Sequence, residues 1–358
     1  MTTAEIASEL EKVTHHFPYL KGWDASSLLG LIARELGHAE ILDGFRPYGT
    51  RLAQAIPVRS ILHIVSGNTP HAALQSLVRG LLLRGCQNYI KIPADGLPEA
   101  EEFIRLLPPA LAKRICLSRH LEDSWLENSE AVIAFGSDET IAALRKKVPP
   151  DRIFLSHGHR VSFSIIFEDP DYTSVESAAM DVFLYDQRGC LSPHALYVAS
   201  LLPAEEYAQR LASALQKLCE TGCEPHNITE AAAIFAERRY FEFLHSLRPS
   251  VKIWASEKSS DWTVIYDPNP EFRISPLGRT VFVKPLPENP TATFANIRSW
   301  ISGIGIWPPK AKYAQIAADL GASRVCPFGK MQFPPADWHQ DGLPVLAYLI
   351  RWVDFEII

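Results

Sequence analysis

Long apolar runs are missing from this chain. No stretch approaches the ~18 consecutive apolar residues that a membrane-spanning helix needs. A basic excess is missing too: 35 Lys and Arg against 41 Asp and Glu leave a net charge of −6. That balance argues against a nucleic-acid-binding surface as the protein's main business. Cysteine is sparse. Six residues (Cys86, Cys116, Cys190, Cys219, Cys223 and Cys326) scattered through 358 do not form a disulfide framework. The opening MTTAEIASELEKVTHHF has no basic region followed by an apolar core, so it reads as an amphipathic helix rather than a leader peptide. Internal repeats, low-complexity tracts and charge blocks are absent as well. The expectation is a reduced, cytoplasmic protein with no membrane span and no nucleic-acid partner.

What is present is globular. Hydrophobic residues make up 47% and charged residues 21%, and a chain this long carries about two domains. Proline is abundant, at 27 residues, and many prolines fall at element boundaries. Residues 1–57 read as a helical segment. From there short apolar runs alternate with helical patterns: strands at 61–65 (ILHIV), 88–92 (NYIKI), 131–135 (AVIAF) and 152–155, helices at 72–83, 99–111 and 141–148. Such alternation predicts a parallel sheet with crossover helices. Ligands of these sheets sit beyond the carboxyl ends of the strands, here Gly67-Asn68, Lys91 to Pro93, Gly136-Ser137 and 156–160. A break at 168–171 (EDPD) sets the second domain at 169–330, with more α/β alternation, after a first at 58–168. A tail at 331–358 ends in 351–357 (RWVDFEI), which alternates as a strand.

Four positions stand out chemically. Cys190 lies in Gly-Cys-Leu-Ser-Pro between a helix and a strand, where backbone amides favour a thiolate nucleophile. The same context fits a structural cysteine, and both readings stand at this point. Asn68, between Gly67 and Thr69-Pro70, is placed to donate to an oxyanion, or to serve simply as a turn residue. Lys91 is a charge in an apolar strand, suited to a ribose or phosphate contact or to snorkelling at a strand end. His157, in the loop Ser156-His157-Gly158-His159-Arg160, is a candidate for proton transfer, as is His159, against the plainer reading of turn histidines. Cys219, Cys223 and His226 have some metal-like spacing but no evident fourth ligand. Trp338-His339-Gln340-Asp341-Gly342 reads as a structural turn.

The order and spacing of these residues resemble the aldehyde dehydrogenase superfamily, and within it the acyl-CoA reductase branch typified by LuxC of bacterial bioluminescence. The matching pieces are SGNTPHAALQSLVRGLLLRG (66–85), YDQRGCLSPHALYV (185–198), WTVIYDPNPEFRISPLGRTVFVKPL (262–286) and GASRVCPFGKMQFPPADWHQDG (321–342). The intervals of 23 residues from Asn68 to Lys91 and 34 from Ser156 to Cys190 are similar to the family's own. The resemblance runs from about residue 60 to the C-terminus and leaves the first 57 residues uncovered. It implies a Rossmann-type cofactor domain joined to an α/β catalytic domain, and NADPH-dependent reduction of a fatty acyl-CoA to the aldehyde. Cys190 is then the nucleophile and Asn68 the oxyanion donor. Lys91 and Pro93 lie at the cofactor's adenosine side, and Gly136 and Ser137 at its pyrophosphate, with Ile141 where the family has a last Gly. It further implies an acyl-protein synthetase as partner and a homo-oligomer built through the C-terminal strand.

One departure carries information. Ser156 stands where aldehyde-oxidising relatives keep a Glu that activates water for deacylation. A reductase that starts from a thioester is served by its loss. Two rivals remain: a cysteine acyltransferase or thioesterase that uses no nicotinamide, and a non-catalytic nucleotide-binding protein on the same fold.

Overall fold

The computed structural model describes residues 1–68, 70–169, 171–199 and 203–356. Thr69 of the Asn68 turn, Pro170 of the expected domain break and Ile357 of the expected last strand lie outside them. The chain divides into two compact units, 1–159 with 333–358, and 160–332.

The first unit opens with two helices, α1 (Thr3–Thr14) and α2 (Ala25–Leu36). Thr2 and Glu5 form a reciprocal capping box at the start of α1, and the Asp24 carboxylate caps α2 by accepting from the Ser27 N–H. Both helices bury one apolar stripe, including Ile6, Leu10, Leu28 and Ile32. Beyond them the expected helical segment turns into strands β1 (Arg46–Tyr48) and β2 (Arg51–Pro57). β1 pairs antiparallel with β2, and the other neighbour of β2 lies some 300 residues away in sequence, which local pattern does not reveal.

Five parallel strands follow: β3 (Ser60–Ile64), β4 (Gln87–Lys91), β5 (Ile115–Ser118), β6 (Ala131–Phe135) and β7 (Ile153–His157), in the order β5-β4-β3-β6-β7. Crossovers are α3 (Pro70–Leu82), α4 (Pro98–Leu106) with α5 (Pro109–Ala112), α6 (Asp123–Asn128) and α7 (Asp138–Lys147). The helix expected over 99–111 breaks at Leu107, which is extended (ψ 146°) because Pro108 follows it. β3 and β6 are buried along their whole length, which explains their unbroken apolar runs. Leu62 and Val132 pack toward α6 and α7, and Ile61 and Ile133 toward α3.

The second unit holds β8 (Val161–Ile166), α8 (Tyr172–Phe183), β9 (Pro193–Val198), α9 (Ala204–Glu220), α10 (Ile228–Leu247), β10 (Lys252–Ala255), β11 (Thr263–Tyr266), β12 (Thr280–Pro285), α11 (Pro290–Thr293), β13 (Ile301–Trp307), α12 (Ala311–Asp319) and β14 (Arg324–Pro327). They form one sheet, β10-β11-β12-β9-β8-β13-β14, parallel except for β10 against β11. The unit begins at Arg160 rather than after residue 168, because β8 is a strand of this second sheet. Alternation sorts its core into two layers. Leu196, Val198, Val281 and Val283 face α8 and α9, while Ala195, Tyr197 and Phe282 face α10 and α12.

After the second unit the chain returns to the first and ends in β15 (Ile350–Phe355). The expected C-terminal strand forms, and its partner within the chain is β2, antiparallel, from Ile350 opposite Pro57 to Phe355 opposite Leu52. Tyr48 and Trp352 pack on this three-stranded sheet with ring centroids 5.0 Å apart. The Glu35 carboxylate gathers the N–H groups of Val345, Leu346 and Ala347 at 2.7–3.1 Å and so ties the tail to α2.

Candidate active site

Cys190 is exposed, in no disulfide, and sits in the second unit between α8 and β9. The chain reaches it through a contorted approach. Tyr185, Asp186 and Gln187 are all left-handed, with φ of 55°, 54° and 61°. Each such non-glycine residue costs of order 1–3 kcal/mol and persists only where the surroundings over-determine it. Gln187, fully buried, supplies part of that: Oε1 accepts from the Thr280 N–H (2.9 Å) and Nε2 donates to the Pro193 carbonyl (2.7 Å). The Cys190 carbonyl accepts from the Ser162 hydroxyl at 2.7 Å, and that hydroxyl accepts from the Gly303 N–H at 3.0 Å. Two residues on, the Ser192 hydroxyl accepts from Gln332 Nε2 (2.7 Å). The turn is therefore fixed on both sides of an accessible thiol.

The other expected site residues belong to the first unit, at the carboxyl ends of β3, β4 and β6. Asn68 is exposed in the turn that leads from β3 into α3. Beside it a Cβ on Gly67 would lie 3.0 Å from Pro93 Cγ, so the two turns are packed tightly together. Lys91 is the half-buried last residue of β4, and Pro93 follows it. Gly136 follows β6, with its Cβ position 3.2 Å from the Thr140 methyl. Ser137 is the N-cap of α7, its hydroxyl accepting from the Thr140 N–H at 3.3 Å. One edge of a parallel sheet thus gathers Asn68, Lys91, Pro93, Gly136 and Ser137. The acidic residue next in line is turned aside, since Asp138 Oδ1 accepts from the His159 N–H at 2.9 Å.

His157 ends β7 and is not a loose turn histidine. Its ring stacks on Phe135 (4.6 Å between centroids, 16° between planes), and Nδ1 is 2.7 Å from Asp341 Oδ2. Asp341 is itself left-handed, φ 54°. Sequence reasoning left the Trp-His-Gln-Asp segment as a turn and missed this pairing. Gln340 beside it accepts from the buried Arg79 at 2.9 Å. Ser156, Ser76, Arg79, His157 and Gln340 line a small, partly open pocket in this unit. Cys219, Cys223 and His226 do not converge as ligands. His226 Nδ1 meets the Ser260 hydroxyl (3.0 Å), and among the described residues no group of three or more His, Cys, Asp or Glu is arranged to hold a metal.

Among the described residues no helix is long and apolar enough to cross a membrane.

A five-stranded parallel sheet with its turns gathered at the carboxyl edge, joined to a second α/β unit with an exposed cysteine before its strand, defines the aldehyde dehydrogenase fold. Solved structures agree. A benzaldehyde dehydrogenase of Corynebacterium glutamicum superposes with a TM-score of 0.66 at 14% identity, covering 99% of this chain and 86% of that one. A succinic semialdehyde dehydrogenase of Streptococcus pyogenes, solved with NADP+, gives 0.63 at 13% identity, covering 99% and 90%. Within that class, residues 8–352 match the family described as acyl-CoA reductase (LuxC), and the chain belongs to that family. Among its curated relatives, the long-chain acyl-protein thioester reductase of Aliivibrio fischeri is 26% identical over 357 residues, covering 92% of this chain and 71% of its own. The protein of the same name in Vibrio harveyi is 25% identical, with the same two coverages.

Proposed function

We propose that this protein reduces a fatty acyl thioester to the aldehyde, with NADPH as reductant, through an acyl-enzyme on Cys190. The observation that carries the reading is an exposed thiol on a fixed, strained turn in a chain of the acyl-CoA reductase family. The Cys190 thiolate attacks the thioester carbonyl, and the Asn68 amide and the Cys190 N–H hold the developing oxyanion. The C–S bond to coenzyme A breaks, and the thiol leaves with a proton. Exchange of one thioester for another costs little and keeps the carbonyl electrophilic. A bound reduced nicotinamide supplies the hydride. The resulting thiohemiacetal on Cys190 collapses to aldehyde and free thiolate, with His157 as the proton carrier.

Lys91, Pro93, Gly136 and Ser137 would hold the cofactor. The turns at Gly67 and Gly136 pack closely against Pro93 and Thr140 at this edge, and Asp138 Oδ1 accepts from the His159 N–H. Lys91 at the adenosine ribose favours a 2′-phosphate, hence NADPH over NADH. Ser156 carries no carboxylate to activate water, so the acyl-enzyme survives to meet hydride. The relatives' name, acyl-protein thioester reductase, supports a donor delivered by a partner acyl-protein synthetase as well as free acyl-CoA. A homo-oligomer through the edge of β15 completes the reading.

The test mixes the protein with a panel of acyl-CoAs and NADPH, and follows nicotinamide absorbance together with thiol release. Reduction moves both in equal amounts. Thiol release alone makes the protein an acyltransferase or thioesterase, and neither signal makes it a binding protein.

A further inference from the structure

Two left-handed runs face each other behind Cys190. One is Tyr185-Asp186-Gln187; the other is Leu277-Gly278-Arg279, with φ of 68°, 58° and 58°. Each run has local turn hydrogen bonds, and cross-links between the two add to the constraints that hold both in place. The backbone link is the Gly278 N–H donating to the Asp186 carbonyl at 3.0 Å. Gly278 admits no side chain there, since a Cβ would lie 2.7 Å from Ile234 Cδ1. The charged link is the Arg279 guanidinium on the Asp186 carboxylate.

Arg279 is 1% exposed, and each edge of its guanidinium is used. Nε donates to the Asp261 carbonyl (2.5 Å), and Nη2 donates to the Glu224 carbonyl (3.1 Å) and to His226 Nε2 (3.0 Å). An arginine has no acceptor, so His226 must accept at Nε2 and is neutral, with Nδ1–H donating to the Ser260 hydroxyl. Burial and the neighbouring Arg279 cation both push the His226 pKa down. Asp186 is therefore the carboxylate that balances this buried cation, and it sits four residues before Cys190. A buried arginine filled on all sides binds no ligand; it holds a shape.

We infer that the Asp186–Arg279 pair is a positioning device for Cys190, locking the left-handed approach so that the thiol meets a thioester carbonyl in line. The inference rests on the reading of Cys190 as the nucleophile. Arg279 and Asp186 touch no reacting atom and act through the turn.

The experiment compares wild type with Asp186→Asn, which removes the charge, keeps the shape and tolerates φ near 54° better than other non-glycine residues. Each protein is mixed with tetradecanoyl-CoA without nicotinamide, quenched at intervals and weighed intact, giving the acylation rate of Cys190 and its half-saturating concentration. In parallel Cys190 is alkylated with iodoacetamide, a small reagent indifferent to carbonyl geometry, and unfolding is followed by circular dichroism. The expected result is acylation at least ten-fold slower at unchanged half-saturation, with alkylation within about three-fold and the melting curve cooperative. Arg279→Lys should retain more acylation than Arg279→Gln where both fold. Should the Arg279 variants fail to fold, Asp186→Asn decides alone. Acylation within two-fold of wild type in folded Asp186→Asn overturns the inference, as does an equal loss of acylation and alkylation. No acylation of the wild-type thiol overturns the Cys190 reading, and this inference with it. Acylated wild type beside an unaffected Asp186→Asn overturns only the positioning role.

Discussion

His157 Nδ1 lies 2.7 Å from Asp341 Oδ2, although 184 residues separate them in sequence. Both side chains are largely buried, 13% and 5% exposed. A carboxylate oxygen accepts, so the ring donates to it from Nδ1. The Phe135 ring beneath fixes the plane.

Asp341→Ala leaves the His157 N–H without its acceptor, and is expected to destabilise the protein by about 1–3 kcal/mol. Asp341→Asn, which keeps an acceptor and loses the charge, should cost less. Denaturant unfolding of both variants checks the ranking; an Asn variant less stable than the Ala one would contradict it. His157→Gln should lower the turnover of acyl-CoA about 10²-fold or more, if the ring moves a proton in the rate-limiting step.

Cys190 and Asn68 are expected to separate by kind of defect. Cys190→Ala should fold and bind nicotinamide but show no acyl adduct by intact mass. Asn68→Ala should still acylate, ~10²–10³-fold more slowly, as for loss of one oxyanion donor. An adduct of full stoichiometry on Cys190→Ala would assign the nucleophile elsewhere. An unchanged rate in Asn68→Ala would return Asn68 to a turn residue.

The parts legible in the sequence were those governed by local pattern. The buried runs at 61–65 and 131–135 announce β3 and β6 because parallel strands covered on both faces are apolar throughout, while β4 alternates buried and half-buried residues. The turn residues at the carboxyl ends followed from that. What escaped depends on distant partners. β2 reads as part of a helical segment because Ala53, Ala55 and Ile56 fit either period, and most of its pairing comes from the distant β15. Asp341 and Arg279 carry no local mark either. Their meaning comes from His157 and Asp186, which lie far away in sequence.

Stability should rise with pH between about 4 and 6.5. Burial pushes the His63 and His71 imidazoles down to about 4 in the folded protein, so each takes up a proton on unfolding in that window. Asp181 works in the opposite sense. Burial pushes its carboxyl up to about 7 against the pull of the Gly329 and Met331 N–H groups, so it releases a proton on unfolding. Near the middle of that window, two gained against one lost leaves the unfolded chain up to about one proton richer, a slope approaching about 1.4 kcal/mol per pH unit that flattens toward both ends. Replacing Asp181 by Asn removes the opposing term, and the slope should steepen. Denaturant midpoints at pH 4.5, 5.5 and 6.5 for both proteins measure it, and a shallower slope in the variant would show that Asp181 is ionised in the fold.

The last prediction concerns a missing carboxylate. Ser156 pairs with Ala134 near the end of β7 and lines the pocket that also holds Arg79. It stands 34 residues before Cys190, and the resemblance to aldehyde dehydrogenases implies that it replaces the Glu which activates water in aldehyde-oxidising members. Ser156→Glu should therefore open a hydrolytic leak, raising thioesterase activity by up to ~10²-fold if the carboxylate attains general-base geometry. Aldehyde formed per coenzyme A released should fall, and oxidation of the matching aldehyde with NADP+ should improve. The pocket sets the size of the gain. Arg79 is a buried cation, and a glutamate drawn toward it would be a weaker base, so Ser156→Glu combined with Arg79→Gln should leak more than Ser156→Glu alone. Thiol release without nicotinamide, measured on folded variants that still acylate Cys190, reads the leak directly. No rise in either variant would mean that water is kept from the acyl-enzyme by something other than the absence of a base at 156.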